Sequence, residues 1–271
     1  MMREARTLPI NDVRLFVQES GAGPALLCLH GWTLDHRMWK YQIDALAAHY
    51  HVFAPDRRGC GRSSGTPDLA RELEDIVALM AARELPRIVL YAASQAGRVA
   101  LRFALAYPEK LSALVLQGTA LDGMPELPAD PGYVPLMEYA ELAQAGGMDE
   151  VRRRWLGHPL MQLPPGRDDL RTDVMEMVGD CKFLDLRRPA STPTGGSLNL
   201  VGTLGAISTL TLILSGAEET PHRKAIARTL LREIPGARAV EIPGGGHLIN
   251  MIAPEACNRA VLQFLADVAI C

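Results

Sequence analysis

LYAASQAG, residues 90–97, is the stretch that decides the fold of this chain. In this stretch an apolar run, typical of a buried strand, is followed without a loop by a helical pattern. Ser94 lies at the joint between the two. The small residues Ala92, Ala96 and Gly97 surround it, as a sharp strand–turn–helix joint requires. The helix N-terminus also directs free amides at the serine, which favours a developing anion. The stretch indicates a nucleophilic serine, and a serine that merely caps a helix is the alternative.

Short apolar runs alternate with helical patterns on both sides of this stretch. The predicted strands span residues 13–19, 25–30, 52–55, 88–92, 111–117, 210–215 and 237–242, and the predicted helices 39–48, 69–85, 96–107, 223–234 and 254–268. Such alternation predicts an α/β fold with a mostly parallel central sheet and helices on both faces. The alternation stops between 122 and 208, where helical segments, prolines and the loop 191–197 replace it. We therefore expect a core of residues 1–121 and 209–271, with a helical cap inserted at 122–208.

The composition excludes several classes of protein. With 271 residues and 48% hydrophobic residues, the chain can bury a sizeable core, and its net charge of −3 gives no basic field for nucleic acid. The most apolar stretch, 198–214, is interrupted by glycines and is too short for a membrane span, and the N-terminus lacks the pattern of a signal peptide. The five cysteines form no CxxC pair, which disfavours a disulfide framework or zinc site. We expect a cytoplasmic protein.

Four further motifs follow predicted strands. They are HGW at 30–32, DRRGCGRS at 56–63, GAEE at 216–219 and GGGH at 244–247. With the serine stretch, these motifs resemble those of the α/β-hydrolase superfamily, in its group of cap-bearing esterases, lactonases and related enzymes. The resemblance spans nearly the whole chain. One departure is that both glycines of the usual GxSxG pattern are alanine here.

The chemistry of serine and the resemblance together suggest the site residues. A serine hydroxyl needs a neighbouring base, and the base needs an acid that orients it. His247 is the best base, because it follows the last strand in a glycine-rich loop. The resemblance implies an acid at Glu219, where the family usually has aspartate; Glu218 and Asp122 are the alternatives. It also implies an oxyanion hole formed by two backbone N–H groups.

The oxyanion donors are expected to be the amides of Trp32 and Gln95. His30 is interpreted as a structural residue that ties the oxyanion loop, and Asp56 and Arg57 as residues that structure their own loop. The resemblance implies no metal or organic cofactor.

The expected reaction is hydrolysis of a small or medium carboxylic ester or lactone through an acyl-enzyme, with no nucleic-acid or membrane partner. Ser94 argues against the dehalogenases and epoxide hydrolases of this fold, whose nucleophile is aspartate. The same fold and triad also serve carbon–carbon bond hydrolases, hydroxynitrile lyases and perhydrolases. Cofactor-free dioxygenases have histidine where this chain has Gln95. A non-catalytic ligand-binding protein is the alternative from another class, and the oligomeric state is open.

Overall fold

The computed structural model describes residues 3–125, 127, 129–187 and 199–268. The strands are β1 (Glu4–Ile10), β2 (Val13–Ser20), β3 (Ala25–Leu29), β4 (His51–Pro55), β5 (Ile88–Ala93), β6 (Leu111–Gln117), β7 (Thr211–Gly216) and β8 (Arg238–Ile242). The α-helices are α1 (Lys40–Leu46), α2 (Arg71–Ala82), α3 (Ala96–Ala106), α4 (Leu136–Gln144), α5 (Met148–Leu156), α6 (Asp168–Asp180), α7 (Pro221–Glu233), α8 (Ile249–Ile252) and α9 (Pro254–Asp267). The loop predicted at 191–197 lies outside the described residues.

The described strands form one sheet in the order β1-β2-β4-β3-β5-β6-β7-β8. Six neighbouring strands of the sheet pair in parallel, namely β4, β3, β5, β6, β7 and β8. In contrast, β2 pairs antiparallel with both β4 and β1. This arrangement confirms the predicted α/β fold with a mostly parallel sheet. Because β3, β5, β7 and β8 are parallel, the loops after their carboxyl ends lie at one edge of the sheet.

The sequence patterns did not predict β1. Its first four residues are exposed, so its side chains show no alternation of apolar and polar positions. The strand is held by its antiparallel pairing with β2, across a tight turn in which Asn11 has a φ of +50°. Edge strands of this kind depend on a neighbouring strand, which a local pattern does not reveal.

Apolar side chains cover both faces of the sheet. Along β5, Val89 and Tyr91 belong to the cluster on one face, whereas Leu90 and Ala92 belong to the cluster on the other. This alternation is the period of two expected of a strand that is buried on both sides. It explains why β5 appears in the sequence as a continuous apolar run.

The segment between β6 and β7 contains α4, α5 and α6. Buried apolar side chains of these three helices join the cluster that contains Tyr91, whereas those of residues 200–207 join the cluster that contains Leu90. Trp155 of α5 donates a hydrogen bond from Nε1 to Thr33 Oγ1 at 2.7 Å, and Trp32 Nε1 donates to Asp185 Oδ2 at 2.6 Å. The segment therefore packs directly on the loop after β3. Its division from the core at residues 122–208 stays a prediction.

Among the described residues, none of the helices combines the length and the apolar character that crossing a membrane requires.

Candidate active site

Ser94 lies at the tight joint between β5 and α3, with a φ of +55°. Its amide donates a hydrogen bond to Gln117 O at 2.8 Å, and its carbonyl accepts from Gly97 N at 3.0 Å. A β-carbon at Gly97 would lie 2.3 Å from Thr119 Cγ2, so only glycine fits there. The glycine three residues after Ser94 is thus explained by the close approach of α3 to the chain that follows β6. A positive φ at a residue other than glycine is strained, and such strain clusters at functional sites.

Ser94, His247 and Glu219 lie in hydrogen-bonding contact, although they follow three different strands. His247 Nε2 lies 2.9 Å from Ser94 Oγ, and His247 Nδ1 lies 2.6 Å from Glu219 Oε2. A carboxylate can only accept hydrogen bonds, so Nδ1 carries the ring proton and Nε2 is free to accept from the serine hydroxyl. This tautomer has the acceptor that a general base requires.

The Glu219 side chain is buried and held at both oxygens. Oε2 contacts His247, and Oε1 accepts a hydrogen bond from the Thr220 amide at 2.8 Å. Burial alone would raise the pKa of Glu219, but the imidazole of His247 outweighs it, so the pKa lies below its usual value. The side chain is therefore a carboxylate at neutral pH.

The two alternative acids lie elsewhere. Glu218 is exposed, and Asp122 forms ion pairs with Arg98 at 2.5 Å and with Arg102 at 2.7 Å. The structure thus brings Glu219, and neither alternative, to His247.

Gly118 is a site residue that the sequence analysis missed. It follows β6 with a φ of +53°, and a β-carbon there would lie 2.9 Å from His247 Cε1 and 3.2 Å from Glu219 Oε2. Any larger residue would therefore displace the imidazole or the carboxylate. A glycine directly after a strand was the only signal in the sequence.

Trp32 and Gln95 both line the cavity above Ser94. Within the described part of the chain, neither backbone amide donates a hydrogen bond to a protein acceptor. Gln95 precedes the first residue of α3, where helix amides are unsatisfied. A ligand oxygen near Ser94 can accept from such donors.

His30 directly follows β3 and is fully buried. Its Nε2 accepts a hydrogen bond from Arg57 N, and its Nδ1 donates to Gly31 O, each at 2.8 Å. Burial, and then the charge of Arg57, lower the pKa of His30 to about 4, so the ring is neutral at neutral pH. Its position suits the structural role that the sequence suggested.

A cavity of about 590 Å³ opens above Ser94. One side is apolar, and the segment between β6 and β7 contributes to it through Val134, Trp155, Leu160 and Met161. Polar and charged side chains also line the cavity, namely Arg98, Asp122, His222 and Arg223. The two arginines were not among the predicted site residues. The one signal was that Arg98 lies four residues after Ser94, one turn along α3.

One group among the described residues has the composition of a metal site, namely Asp35, His36 and Asp56. Its atoms are already engaged in protein contacts. His36 donates from both its amide and Nδ1 to Asp56 Oδ1, at 2.8 and 2.7 Å, and Asp35 accepts from the Arg37 guanidinium at 2.6 Å. None of the three residues borders the cavity. The group is explained by these hydrogen bonds, which order the loop after β4.

Comparison with known proteins agrees with this architecture. Residues 24–254 match the family model of the alpha/beta hydrolase fold. The chain is 25% identical over 268 residues to a pimeloyl-[acyl-carrier protein] methyl ester esterase of Pectobacterium carotovorum, with 92% of this chain and 98% of that protein covered. Among solved structures, a thermophilic esterase from Thermogutta terrifontis superposes with a TM-score of 0.82 at 25% identity, covering 99% of each chain.

A local match is closer in sequence. The chain is 35% identical over 130 residues to the bifunctional epoxide hydrolase 2 of Mus musculus, a match that covers 46% of this chain and 23% of the mouse protein. The chain thus corresponds to less than a quarter of that relative. The family model, in contrast, spans the core strands β3 to β8 and the loops that carry Ser94, Glu219 and His247. The chain belongs to the α/β-hydrolase fold family.

Proposed function

We propose that the chain hydrolyses a small or medium carboxylic ester or lactone through a serine-bound acyl intermediate. The observation that supports this most directly is the relay of contacts at the floor of the cavity. Ser94 Oγ lies 2.9 Å from His247 Nε2, and His247 Nδ1 lies 2.6 Å from a buried Glu219 carboxylate. An imidazole held in this way activates a serine that is otherwise a weak nucleophile at neutral pH.

Each site residue has a defined role in this proposal. Ser94 Oγ attacks the acyl carbon while His247 Nε2 takes the hydroxyl proton, and Glu219 stabilises the imidazolium that results. The amides of Trp32 and Gln95 donate to the oxygen that becomes negative. His247 then returns the proton to the departing alkoxide oxygen. Water, activated by the same imidazole, releases the acid and restores the serine.

The segment at 122–208 has the role of a cap in this proposal. Its apolar side chains form one side of the cavity, which suits an uncharged acyl or lactone ring. The substrate is a small molecule, and a cytoplasmic location stays a prediction from the sequence.

The likeness to the mouse protein favours a second candidate, the hydrolysis of epoxides. In epoxide hydrolases of this fold the nucleophile is an aspartate, whereas this chain has Ser94 at that position. Ester hydrolysis is therefore the better proposal.

The other reactions that reuse a serine triad, such as carbon–carbon bond hydrolysis or perhydrolysis, differ in their products. Product analysis by mass spectrometry during a substrate screen separates them from ester hydrolysis.

The test combines covalent labelling with a substrate screen. A fluorophosphonate should label Ser94, and Ser94→Ala should lose both the labelling and nearly all activity on p-nitrophenyl esters and lactones while it stays folded. Ser215→Ala is the matched control, because this serine is the penultimate residue of β7 and its buried hydroxyl has no hydrogen-bond partner among the described residues. The control should retain labelling and activity. Labelling at another serine, or full activity in Ser94→Ala, would contradict the proposal.

A further inference from the structure

Arg57 contacts both of the loops that carry the expected oxyanion donors. It is the second residue after β4, and it is only 4% exposed. Its Nη1 donates to His30 O and to Gln95 Oε1, each at 3.1 Å. Its backbone amide donates to His30 Nε2 at 2.8 Å. One residue thus joins the end of β3 to the N-terminus of α3.

A buried carboxylate fixes the orientation of this guanidinium. Glu72 of α2 accepts from Arg57 Nε at 2.6 Å and from Nη2 at 3.0 Å. Such a two-pronged pair sets the plane of the guanidinium as well as its position. With Nε and Nη2 occupied by Glu72, the two hydrogens of Nη1 serve His30 and Gln95. The ion pair therefore determines where Nη1 points.

The contacts of Arg57 bear on the direction of the Trp32 amide. Arg57 holds the carbonyl and the ring of His30, and that ring in turn donates to Gly31 O at 2.8 Å. The Gly31 carbonyl and the Trp32 N–H belong to one planar trans peptide, so they point in opposite directions. Because the Gly31 carbonyl is fixed toward the buried His30 ring, the Trp32 N–H points away from that ring.

The second donor is held through its own side chain. Gln95 bears the other expected donor amide, and its Oε1 accepts from Arg57. Donors of this kind act best when they are fixed before the negative charge develops. Arg57 itself does not border the cavity, so it reaches the reacting atoms only through other residues.

We propose that Arg57, oriented by Glu72, is a positioning residue that sets the relative placement of the Trp32 and Gln95 amides. This inference rests on the proposed function, because it concerns an oxyanion hole. It goes beyond that function by assigning a catalytic contribution to an ion pair behind the site.

The chain offers a matched control in the next residue. Arg58 pairs with Asp75 of the same helix α2, with Nε–Oδ2 and Nη2–Oδ1 distances of 2.8 Å, and it is 2% exposed. Among the described residues, neither Arg58 nor Asp75 forms a hydrogen bond with His30 or Gln95. The two ion pairs are alike in burial, and each joins the loop after β4 to α2. Arg58 has one further partner, the half-exposed Asp12, which keeps its pair with Arg71 when Arg58 is replaced. They differ in whether they reach the oxyanion loops.

The experiment compares Arg57→Met/Glu72→Leu with Arg58→Met/Asp75→Leu, using p-nitrophenyl acetate as the probe. Replacing both members of a buried pair avoids leaving one charge unpaired. We expect the Arg57 pair variant to lose about 10- to 100-fold in kcat with KM changed by less than about threefold, because loss of one oxyanion donor costs about 100- to 1,000-fold. The Arg58 pair variant should keep kcat within about twofold.

A second readout reports on the oxyanion hole itself. In an alkyl trifluoromethyl ketone, the carbonyl carbon bonds to Ser94 Oγ, the serine proton passes to His247, and the carbonyl oxygen becomes an oxyanion. Its inhibition constant should weaken in the Arg57 pair variant by the same factor as kcat/KM, and stay unchanged in the Arg58 pair variant. A role limited to stability would not produce this correlation.

A milder pair of variants keeps the test decisive if a double variant does not fold. Arg57→Lys retains the charge beside Glu72 but cannot supply both Nη1 contacts, so its kcat should fall, whereas that of Arg58→Lys should not. Equal kcat losses in the two series, or an unchanged kcat in the Arg57 series, would overturn the positioning role.

If the wild-type chain does not label at Ser94, the proposed function fails and the positioning role fails with it. If the wild-type chain labels at Ser94 but the Arg57 variants keep the wild-type kcat, only the positioning role is overturned.

Discussion

At the scale of single residues, the proposed acid, Glu219, stands where the resemblance to the family leads one to expect aspartate. Glu219 has one methylene more than aspartate, yet its Oε2 lies 2.6 Å from His247 Nδ1. The Thr220 amide fixes the other oxygen, and Gly118 leaves the room that both partners need. The longer side chain is therefore accommodated by a tightly defined pocket at the ends of β6 and β7.

The acid can be identified by removing its charge alone. We expect Glu219→Gln to keep the fold but to favour the wrong imidazole tautomer, with a loss of up to about four orders of magnitude in kcat, as in the analogous serine protease variant. Glu218→Gln is the control, because its exposed carboxylate should matter little. Asp122→Asn should weaken the pairs with Arg98 and Arg102 but spare most of kcat. If Asp122→Asn were the crippled variant, the assignment of Glu219 would be wrong.

At the scale of elements, the loops after β3 and β4 are joined by a buried neutral histidine. His30 accepts from the Arg57 amide and donates to Gly31 O, and protonation of Nε2 would break the first of these bonds. The folded chain therefore resists protonation at this ring, which links the stability of the two loops to pH.

This linkage has a definite sign. The pKa of His30 is lowered from 6.5 to about 4, so between these pH values an unfolded chain binds a proton that the folded chain does not. The free energy of unfolding should therefore fall as the pH decreases from about 6.5 to about 4, by a contribution on the order of 3 kcal/mol. Urea denaturation at pH 7.0 and at pH 4.5 measures it. In His30→Gln, which does not titrate, the loss between the two pH values should be smaller by about that amount; an equal loss would refute the assignment.

At the scale of the whole molecule, the segment between β6 and β7 shares one apolar cluster with the core. Val151 and Trp155 of α5 belong to the same cluster as Tyr91 of β5. Trp155 also packs edge-on against Trp32, with ring centroids 4.7 Å apart. A shared cluster of this kind favours cooperative unfolding of both parts.

Cooperativity can be tested at Trp155, which is 4% exposed. Trp155→Ala should lower the free energy of unfolding by about 3–5 kcal/mol, as is usual for a buried tryptophan. The midpoints of thermal loss of esterase activity and of far-UV circular dichroism should shift together. Met175→Ala, at a 52% exposed position of α6, should change stability by no more than about 0.5 kcal/mol. If activity were lost well before the circular dichroism signal, the segment would unfold independently of the core.

The sequence by itself determined the features that depend on near neighbours in the chain. The buried strand β5, its direct passage into α3, and the small residues around Ser94 all show in one short stretch. His247 was identified in the same way, from a glycine-rich loop after a strand. Parallel strands bring such loops to one edge of the sheet, so locating each strand end was enough to predict that Ser94 and His247 meet.

Only the tertiary structure decided which of the candidate acids, Glu218, Glu219 and Asp122, contacts His247. Glu218 and Glu219 differ by one residue, and the turn after Gly216, packed against Gly245, buries one carboxylate and exposes the other. The role of Arg57 was hidden for the same reason, since its partners Glu72 and Gln95 lie 15 and 38 residues away. The direction of a side chain depends on contacts made across the fold, and a local pattern carries no information about them.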